Sequence, residues 1–136
     1  QVAGLVHAAL PIEGSDTGDY LVRSLVGIDP DRGWLAIGEQ VQSGGRLLFV
    51  RRDPVSAETD LRNRLEHLKG RLDKPPSAAL YYSCVGRGPS MFGAGERELK
   101  LIMDVFDDVP LAGFFGNGEI SHNRLYGYTG VLTLIS

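Results

Sequence analysis

Two short segments of the chain combine side chains that could bind or react with a small molecule. Residues 84–88 place a thiol and a guanidinium in a glycine-rich stretch, and residues 113–119 place a carboxylate beside two phenylalanines. Arg87 would bind a carboxylate, and Glu119 would accept a charge-assisted hydrogen bond from an amine. Together they suit a zwitterion such as an amino acid. An ion pair between Arg87 and Glu119 themselves is the rival interpretation.

Cys84 is the candidate nucleophile of the first segment. A reactive cysteine needs a nearby cation or helix N-terminus and usually a histidine partner. Arg87 supplies a cation, but no histidine lies near Cys84 in the sequence. The apolar run that precedes Cys84 predicts a buried and unreactive thiol. We therefore expect a non-enzymatic domain. A Cys- or Glu-dependent hydrolase or transferase is the enzymatic alternative.

The aromatic pair of the second segment predicts a pocket wall. Phe114 and Phe115 would point to opposite faces of a regular strand. One of them is expected in the core, and the other is expected to line a pocket. The hydroxyls of Tyr126 and Thr129 would add polar groups to the same region.

The histidines give no sign of a metal or cofactor site. The three histidines are widely separated and lack the spacing of metal ligands. His122 lies near the glycine-rich region, but no haem-attachment motif supports it as an axial ligand. We therefore predict no metal and no cofactor.

Composition narrows the classes of function. The 136 residues are enough for one domain with a core, and 43% hydrophobic with 23% charged residues is typical of a soluble globular protein. The net charge of −3 argues against a nucleic-acid partner. A single cysteine favours a reducing compartment, and no apolar run approaches the roughly 20 residues of a membrane span. We expect a cytoplasmic protein.

Turn residues and leucine spacing predict two principal helices. Asp53 and Pro54 form a typical helix start, and four leucines between residues 61 and 72 recur at helical spacing. Gly70 ends this first helix. Acidic residues from position 96 predict the start of a second helix, which runs to about residue 106.

The remaining apolar segments predict strands. A Ser-Gly-Gly turn at residues 43–45 predicts a tight hairpin between two of them, 34–41 and 46–52. The order of elements predicts an α+β domain with a mixed, largely antiparallel sheet, two helices covering one face and no internal boundary. The predicted strands are 2–10, 20–28, 34–41, 46–52, 78–84, 109–115 and 126–135.

The order of several glycine-containing motifs resembles the C-terminal domain of the FIST sensory family. The motifs are Ser-Cys-Val-Gly-Arg-Gly at 83–88, an acidic helix start at 96–98, Val-Pro-Leu-Ala-Gly-Phe at 109–114, Gly-Glu-Ile at 118–120 and Tyr-Thr-Gly-Val-Leu at 128–132. Each motif alone is a turn beside a strand, so their order carries the resemblance.

The resemblance implies an intracellular ligand sensor without a catalytic set, with a small metabolite such as an amino acid as ligand. It also implies that residues 1–136 form a single FIST C-like domain of a longer protein, whose FIST N-terminal domain is a partner. A structural half-domain that pairs with that N-terminal domain is a further alternative. The predicted ligand-binding residues are Cys84, Gly86, Arg87, Gly88, Phe115, Asn117, Gly118, Glu119 and Thr129.

Overall fold

The computed structural model describes residues 6–13, 18–93 and 96–136, which belong to two compact units, Gln1–Arg52 and Asp53–Ser136. The elements in chain order are β1 Val6–Pro11, β2 Tyr20–Asp29, β3 Trp34–Ile37, β4 Leu48–Arg51, α1 Pro54–Lys69, β5 Ala78–Cys84, α2 Gly88–Phe92, α3 Arg97–Val105, β6 Leu111–Gly116, β7 Glu119–Ser121, β8 Arg124–Tyr126 and β9 Gly130–Ile135.

The N-terminal unit contains a four-stranded antiparallel sheet in the order β3-β2-β1-β4. β1 lies inside this sheet, and its residues His7, Ala8 and Ala9 are buried. The prediction of a strand over 2–10 is met by β1, although residues 2–5 of that range lie outside the described residues.

The predicted hairpin between residues 34–41 and 46–52 is wrong. β3 pairs with β2, and β4 pairs with β1. β2 is ten residues long, so its first half pairs with β1 and its second half with β3. The β2–β3 turn is closed by the Asp29 carboxylate, which accepts from the Arg32 N–H at 3.1 Å, and by Gly33 at φ +67°. Gly44 bends the later connection, but no paired strands flank that bend.

The C-terminal unit contains a three-stranded sheet in the order β6-β5-β9 and a separate β7–β8 hairpin. β5 is parallel to β6 and antiparallel to β9. Ala79, Tyr81 and Ser83 alternate on one face of β5 and are buried. The helices cover this face, and Leu65 of α1 and Ile102 of α3 belong to the same apolar core. The α+β class and the largely antiparallel pairing are as predicted.

The local signals for the two long helices are confirmed. The Asp53 carboxylate accepts from the Ser56 N–H at 2.8 Å and caps α1, while Gly70 lies at the other end and donates to the Glu66 carbonyl at 2.9 Å. The predicted helix 96–106 is α3. The short helix α2, which has a proline in its first turn, is a third helix that the sequence analysis does not predict.

The end of the chain differs from the prediction in two respects. The predicted strand 126–135 is divided, because Tyr126 belongs to β8 and β9 begins at Gly130. Glu119, expected in a turn, lies in β7 opposite Tyr126. Both differences follow from the short β7–β8 hairpin, whose three-residue strands are too brief to give a clear alternation in the sequence.

The cap of α1 gives a direct test of the fold. We expect Asp53→Ala to lower the free energy of unfolding by about 1 kcal/mol, because the Ser56 N–H loses its acceptor. The matched control is Asp60→Ala in the same helix, where an exposed carboxylate lies 3.6 Å from Arg64 and should contribute only a few tenths of a kcal/mol. Urea denaturation of both variants makes the comparison. Equal effects would contradict the assigned cap.

Candidate functional site

The loops that follow β5 and β6 lie side by side. The two strands are parallel, with Cys84 opposite Gly116 at their carboxyl ends. The Val85 N–H donates to the Gly116 carbonyl at 2.8 Å. The adjacency expected from the two glycine-rich segments is therefore present. Carboxyl ends of parallel strands are a frequent place for ligand sites in sheets that carry helices.

A buried carboxylate, Glu98, lies at the centre of the site. It is 4% exposed and accepts three hydrogen bonds from the surrounding elements. The Tyr81 hydroxyl donates to Oε1 at 2.5 Å, Arg87 Nε donates to Oε1 at 2.6 Å, and the Ser83 hydroxyl donates to Oε2 at 3.0 Å. A buried charge is tolerated only when it is paired and hydrogen-bonded, and these donors meet that requirement. We call Tyr81, Ser83, Arg87 and Glu98 the Glu98 network.

Each member of the Glu98 network is placed by a different local feature. Tyr81 and Ser83 are two residues apart in β5 and so point to the same, helix-covered face. Arg87 directly precedes α2, and Glu98 lies in the first turn of α3. The network therefore joins the central strand to two helices.

Arg87 is held on two sides. Its side chain is 13% exposed, its guanidinium bonds Glu98, and its central carbon lies 4.9 Å from the centre of the Phe92 ring. The latter distance is that of a cation–π contact. The ion pair of Arg87 is thus with Glu98, and the rival prediction of an Arg87–Glu119 ion pair is replaced by this one.

Glu119 is a second buried carboxylate near the same arginine. It is 5% exposed, and its Oε2 accepts from the Thr129 hydroxyl at 2.7 Å. Its Oε1 has no hydrogen-bond partner in the part of the chain that the structure describes. Burial raises the pKa of Glu119 above its ordinary value of 4.5, the Thr129 hydrogen bond and the Arg87 charge oppose the rise, and the Glu98 charge adds to it.

Tyr81 acts as a permanent donor to Glu98. Burial, followed by the charge of Glu98 and the hydrogen bond to it, raises the pKa of Tyr81 well above its ordinary value of 10. The phenol therefore keeps its proton at neutral pH, where it donates to Glu98. Two glycines make room for this residue: a Cβ at Gly130 would overlap the Tyr81 hydroxyl, and a Cβ at Gly113 would overlap the Tyr81 carbonyl.

A cleft of about 1000 Å³ opens onto the Glu98 network. Tyr81, Ser83 and Glu98 are among its polar residues, and Met103 and Phe115 are among its apolar residues. The volume of the cleft and its mixed polar and apolar lining are those of a site for a small organic molecule.

The predicted binding residues divide into those that line this cleft and those that do not. Gly88 and Phe115 line it, among the described residues, and Arg87 contacts its lining through Glu98. Cys84 is buried, as expected, and its lack of reactivity stays a prediction. The other predicted residues, which do not line the cleft, are Cys84, Gly86, Asn117, Gly118, Glu119 and Thr129.

The expectation for the aromatic pair is half right. Both phenylalanines line the cleft, but neither enters a core, since Phe114 is 67% and Phe115 51% exposed, and Phe114 packs edge-to-face on Tyr82. The reason is that β6 is an edge strand, so its outer residues lack a neighbouring strand on one side.

Three members of the Glu98 network were not among the predicted site residues. Tyr81 and Ser83 were counted as part of an apolar strand, and Glu98 was noted only as part of an acidic helix start. Their signal in the sequence is the placement of two hydroxyl residues at i and i+2 in a buried strand, followed by an arginine. Hydroxyls that share one buried face need an acceptor, and Glu98 supplies it.

Three further observations concern metal ligands, His122 and membrane spans. In the described ranges, no group of three or more His, Cys, Asp or Glu side chains could hold a metal ion. His122 is exposed, and its Nδ1 lies 3.3 Å from the Ser121 hydroxyl. Among the same residues, no helix has the length and hydropathy needed to cross a membrane.

The architecture is that of an α+β domain, and comparison with known proteins gives the family. The model of the FIST C domain matches residues 2–122. This chain therefore belongs to the FIST C domain family, a family of sensory domains, as its motifs predicted.

Curated relatives include proteins from bacteria and from humans. The chain is 39% identical over 138 residues to "Uncharacterized protein Rv0628c" of Mycobacterium tuberculosis, with 98% of this chain and 36% of the relative covered. It is 38% identical over 132 residues to "Uncharacterized protein Mb0898c" of Mycobacterium bovis, with 94% and 33% covered. It is 34% identical over 90 residues to human "F-box only protein 22", with 65% and 22% covered. The chain thus spans about a third of the length of the mycobacterial relatives, and no solved structure matches it.

The hydrogen bond from Tyr81 to Glu98 predicts a loss of stability on removal of one hydroxyl. We expect Tyr81→Phe to lower the free energy of unfolding by about 1.5–3 kcal/mol, the range for hydrogen bonds to charged groups. Tyr82→Phe is the matched control, since Tyr82 lies on the opposite face of β5 and packs its ring on Phe114. The control should change stability by less than about 0.5 kcal/mol. Equal losses in the two variants would contradict the network.

The raised pKa of Glu119 predicts a pH-dependent effect of Glu119→Gln. The folded state holds the Glu119 proton more tightly than the unfolded state, so the folded wild type loses stability as pH rises above 4.5 and through the folded pKa. The glutamine variant lacks this loss. Its stability relative to wild type should therefore rise with pH in that window, as measured by denaturation at a series of pH values.

Glu58→Gln is the control of opposite sign. The Arg97 hydrogen bond lowers the pKa of Glu58, and this carboxylate is exposed. The stability of Glu58→Gln relative to wild type should fall slightly as pH rises towards 4.5. A flat profile for Glu119→Gln would show that Glu119 titrates alike in the folded and unfolded states.

Proposed function

We propose that this chain is the ligand-binding part of a signal-transduction protein, and that it binds a small polar metabolite, such as an amino acid, in the cleft beside the Glu98 network. The observation that carries the proposal is the buried Arg87–Glu98 ion pair, because its Glu98 side chain lines the cleft. A FIST N-terminal domain as partner and a cytoplasmic location belong to the same proposal.

The energetics of the ion pair support a binding role. Buried ion pairs often contribute less to stability than apolar residues of the same size. Ionisable groups with strongly perturbed environments in a cleft are candidates for functional sites. Here the burial that raises the pKa of Tyr81 also encloses the carboxylate it bonds.

The cleft offers complementary contacts to a metabolite with one polar end. Apolar residues such as Met103 and Phe115 would pack on its hydrocarbon part. The lining also includes Lys100, whose ammonium group would suit a ligand carboxylate and would leave the Arg87–Glu98 ion pair intact.

One observation supports the enzymatic alternative, and another argues against it. Glu98 is a second carboxylate near Glu119, as a Glu-dependent hydrolase would need. The oxygens of Glu98 already accept three hydrogen bonds, however, so this carboxylate is poorly placed to transfer a proton to a substrate. The geometry therefore favours binding over catalysis.

A ligand screen tests the proposal. The twenty standard amino acids and related polar metabolites are added to the chain, and the melting temperature is recorded. A ligand at 100 times its Kd should stabilise the folded state by about 2.7 kcal/mol. Calorimetric titration then gives the affinity of each ligand that raises the melting temperature.

Two variants locate the binding. Met103→Trp should fill the cleft and weaken binding at least about tenfold, because the larger ring occupies the space of the ligand while leaving the Glu98 network intact. Arg64→Ala, in an exposed ion pair of α1, is the control and should bind as wild type does. The proposal fails if no metabolite in the panel stabilises the chain, or if Met103→Trp binds with unchanged affinity.

A further inference from the structure

The charges at the carboxyl ends of β5 and β6 do not balance. Two carboxylates, Glu98 and Glu119, are 4% and 5% exposed. The charges of Glu98 and of the Arg87 guanidinium both affect the pKa of Glu119. Arg87 is ion-paired with Glu98. Among the described residues, the cluster thus lacks one positive charge when both carboxylates are ionised, and a buried charge without a partner is costly.

The hydrogen bonds are incomplete at the same place. Glu119 Oε2 accepts from Thr129, whereas Glu119 Oε1 is buried and has no hydrogen-bond partner in the described part of the chain. Ionised carboxylates have about four acceptor positions, and buried ones are nearly always bonded. The missing charge and the missing donor therefore fall on one atom.

We propose that Glu119 Oε1 is the acceptor for a cationic N–H donor, of which a primary ammonium group is the simplest kind, and that this contact makes the domain selective for ligands carrying such a group. An ammonium supplies both the charge and the hydrogen bond that the cluster lacks. An anion or a neutral apolar ligand supplies neither.

The groups around Glu119 are compatible with this role. Arg87 precedes α2, Glu98 belongs to α3, Tyr126 lies opposite in β8, and Thr129 precedes β9. Cys84 is near through its backbone N–H, which donates to the Thr129 carbonyl at 3.0 Å. Arg87 is the one cation of this group, and Glu98 already bonds its Nε at 2.6 Å.

Glu119 does not line the cleft, so the inference goes beyond the proposed function and names a second contact, and it rests on that function only for the meaning of the binding as a signal. The alternative way to neutralise Glu119 is a proton on its own carboxyl group. Burial favours that proton, and a cationic ligand would have to displace it. A protonated Glu119 carboxyl and an ionised one that binds a cation give different ¹³C resonances in an NMR spectrum.

The experiment uses two simple cations rather than an unidentified metabolite. Ethylammonium chloride and tetramethylammonium chloride carry the same charge, but only the first has N–H donors. The ¹³C carboxyl resonance of Glu119 and the melting temperature of the chain are followed during titration with each salt at neutral pH. Glu119→Gln and the exposed-site control Glu58→Gln are titrated in the same way.

We expect ethylammonium to shift the Glu119 resonance saturably and to raise the melting temperature, while tetramethylammonium does neither. Glu119→Gln should weaken the ethylammonium effect about tenfold or more, as loss of a charge-assisted hydrogen bond implies, and Glu58→Gln should retain it. If Glu119→Gln does not fold, the contrast between the two cations in the wild type decides the matter.

Equal responses to the two cations, no response, or a Glu119 carboxyl that stays protonated in excess ethylammonium would overturn the inference. Its failure is separable from that of the proposed function. A negative metabolite screen with a positive ethylammonium titration would reject the cleft as a metabolite site and keep the Glu119 contact. A positive screen with no ethylammonium response would do the reverse.

Discussion

The ion pair between Arg87 and Glu98 is the interaction on which the C-terminal unit depends most. It joins the end of the central strand β5 to the starts of α2 and α3, and its burial obliges the neighbouring side chains to be donors. Tyr81 and Ser83 meet that demand from one face of β5. The position of Tyr81 also requires glycine at 113 and 130, because a side chain at either position would displace Tyr81.

The same arrangement explains why the site is suited to recognition rather than to stability alone. A fully bonded carboxylate behind a partly apolar cleft gives a fixed pattern of charge that does not have to reorganise when a ligand arrives. Glu119 differs from Glu98 in having one oxygen without a partner among the described residues. We therefore propose that Glu98 organises the protein and that Glu119 is the carboxylate that accepts from a cationic donor.

Features that depend on local interactions could be predicted from the sequence, whereas features that depend on contacts between distant residues could not. The cap Asp53 and the leucine spacing are local, and they predicted α1 closely; the apolar run 78–84 predicted β5 to the residue. The pairing of β3 with β2, rather than with β4, depends on which long strand is available and has no local signal. Arg87 and Glu119 were singled out by their glycine-rich surroundings. Glu98 was missed because its donors lie 11 to 17 residues away and meet it only in the folded chain.

A double-mutant cycle on Arg87 and Glu98 tests the central claim most directly. Arg87→Met and Glu98→Leu each leave the opposite charge buried without its partner, and each should cost about 3–5 kcal/mol in the free energy of unfolding. The double variant has neither charge, so it should be more stable than the sum of the single losses predicts, with a coupling energy of about 1–3 kcal/mol. Losses that add to within about 0.5 kcal/mol would show that the two side chains act independently, and would contradict the account.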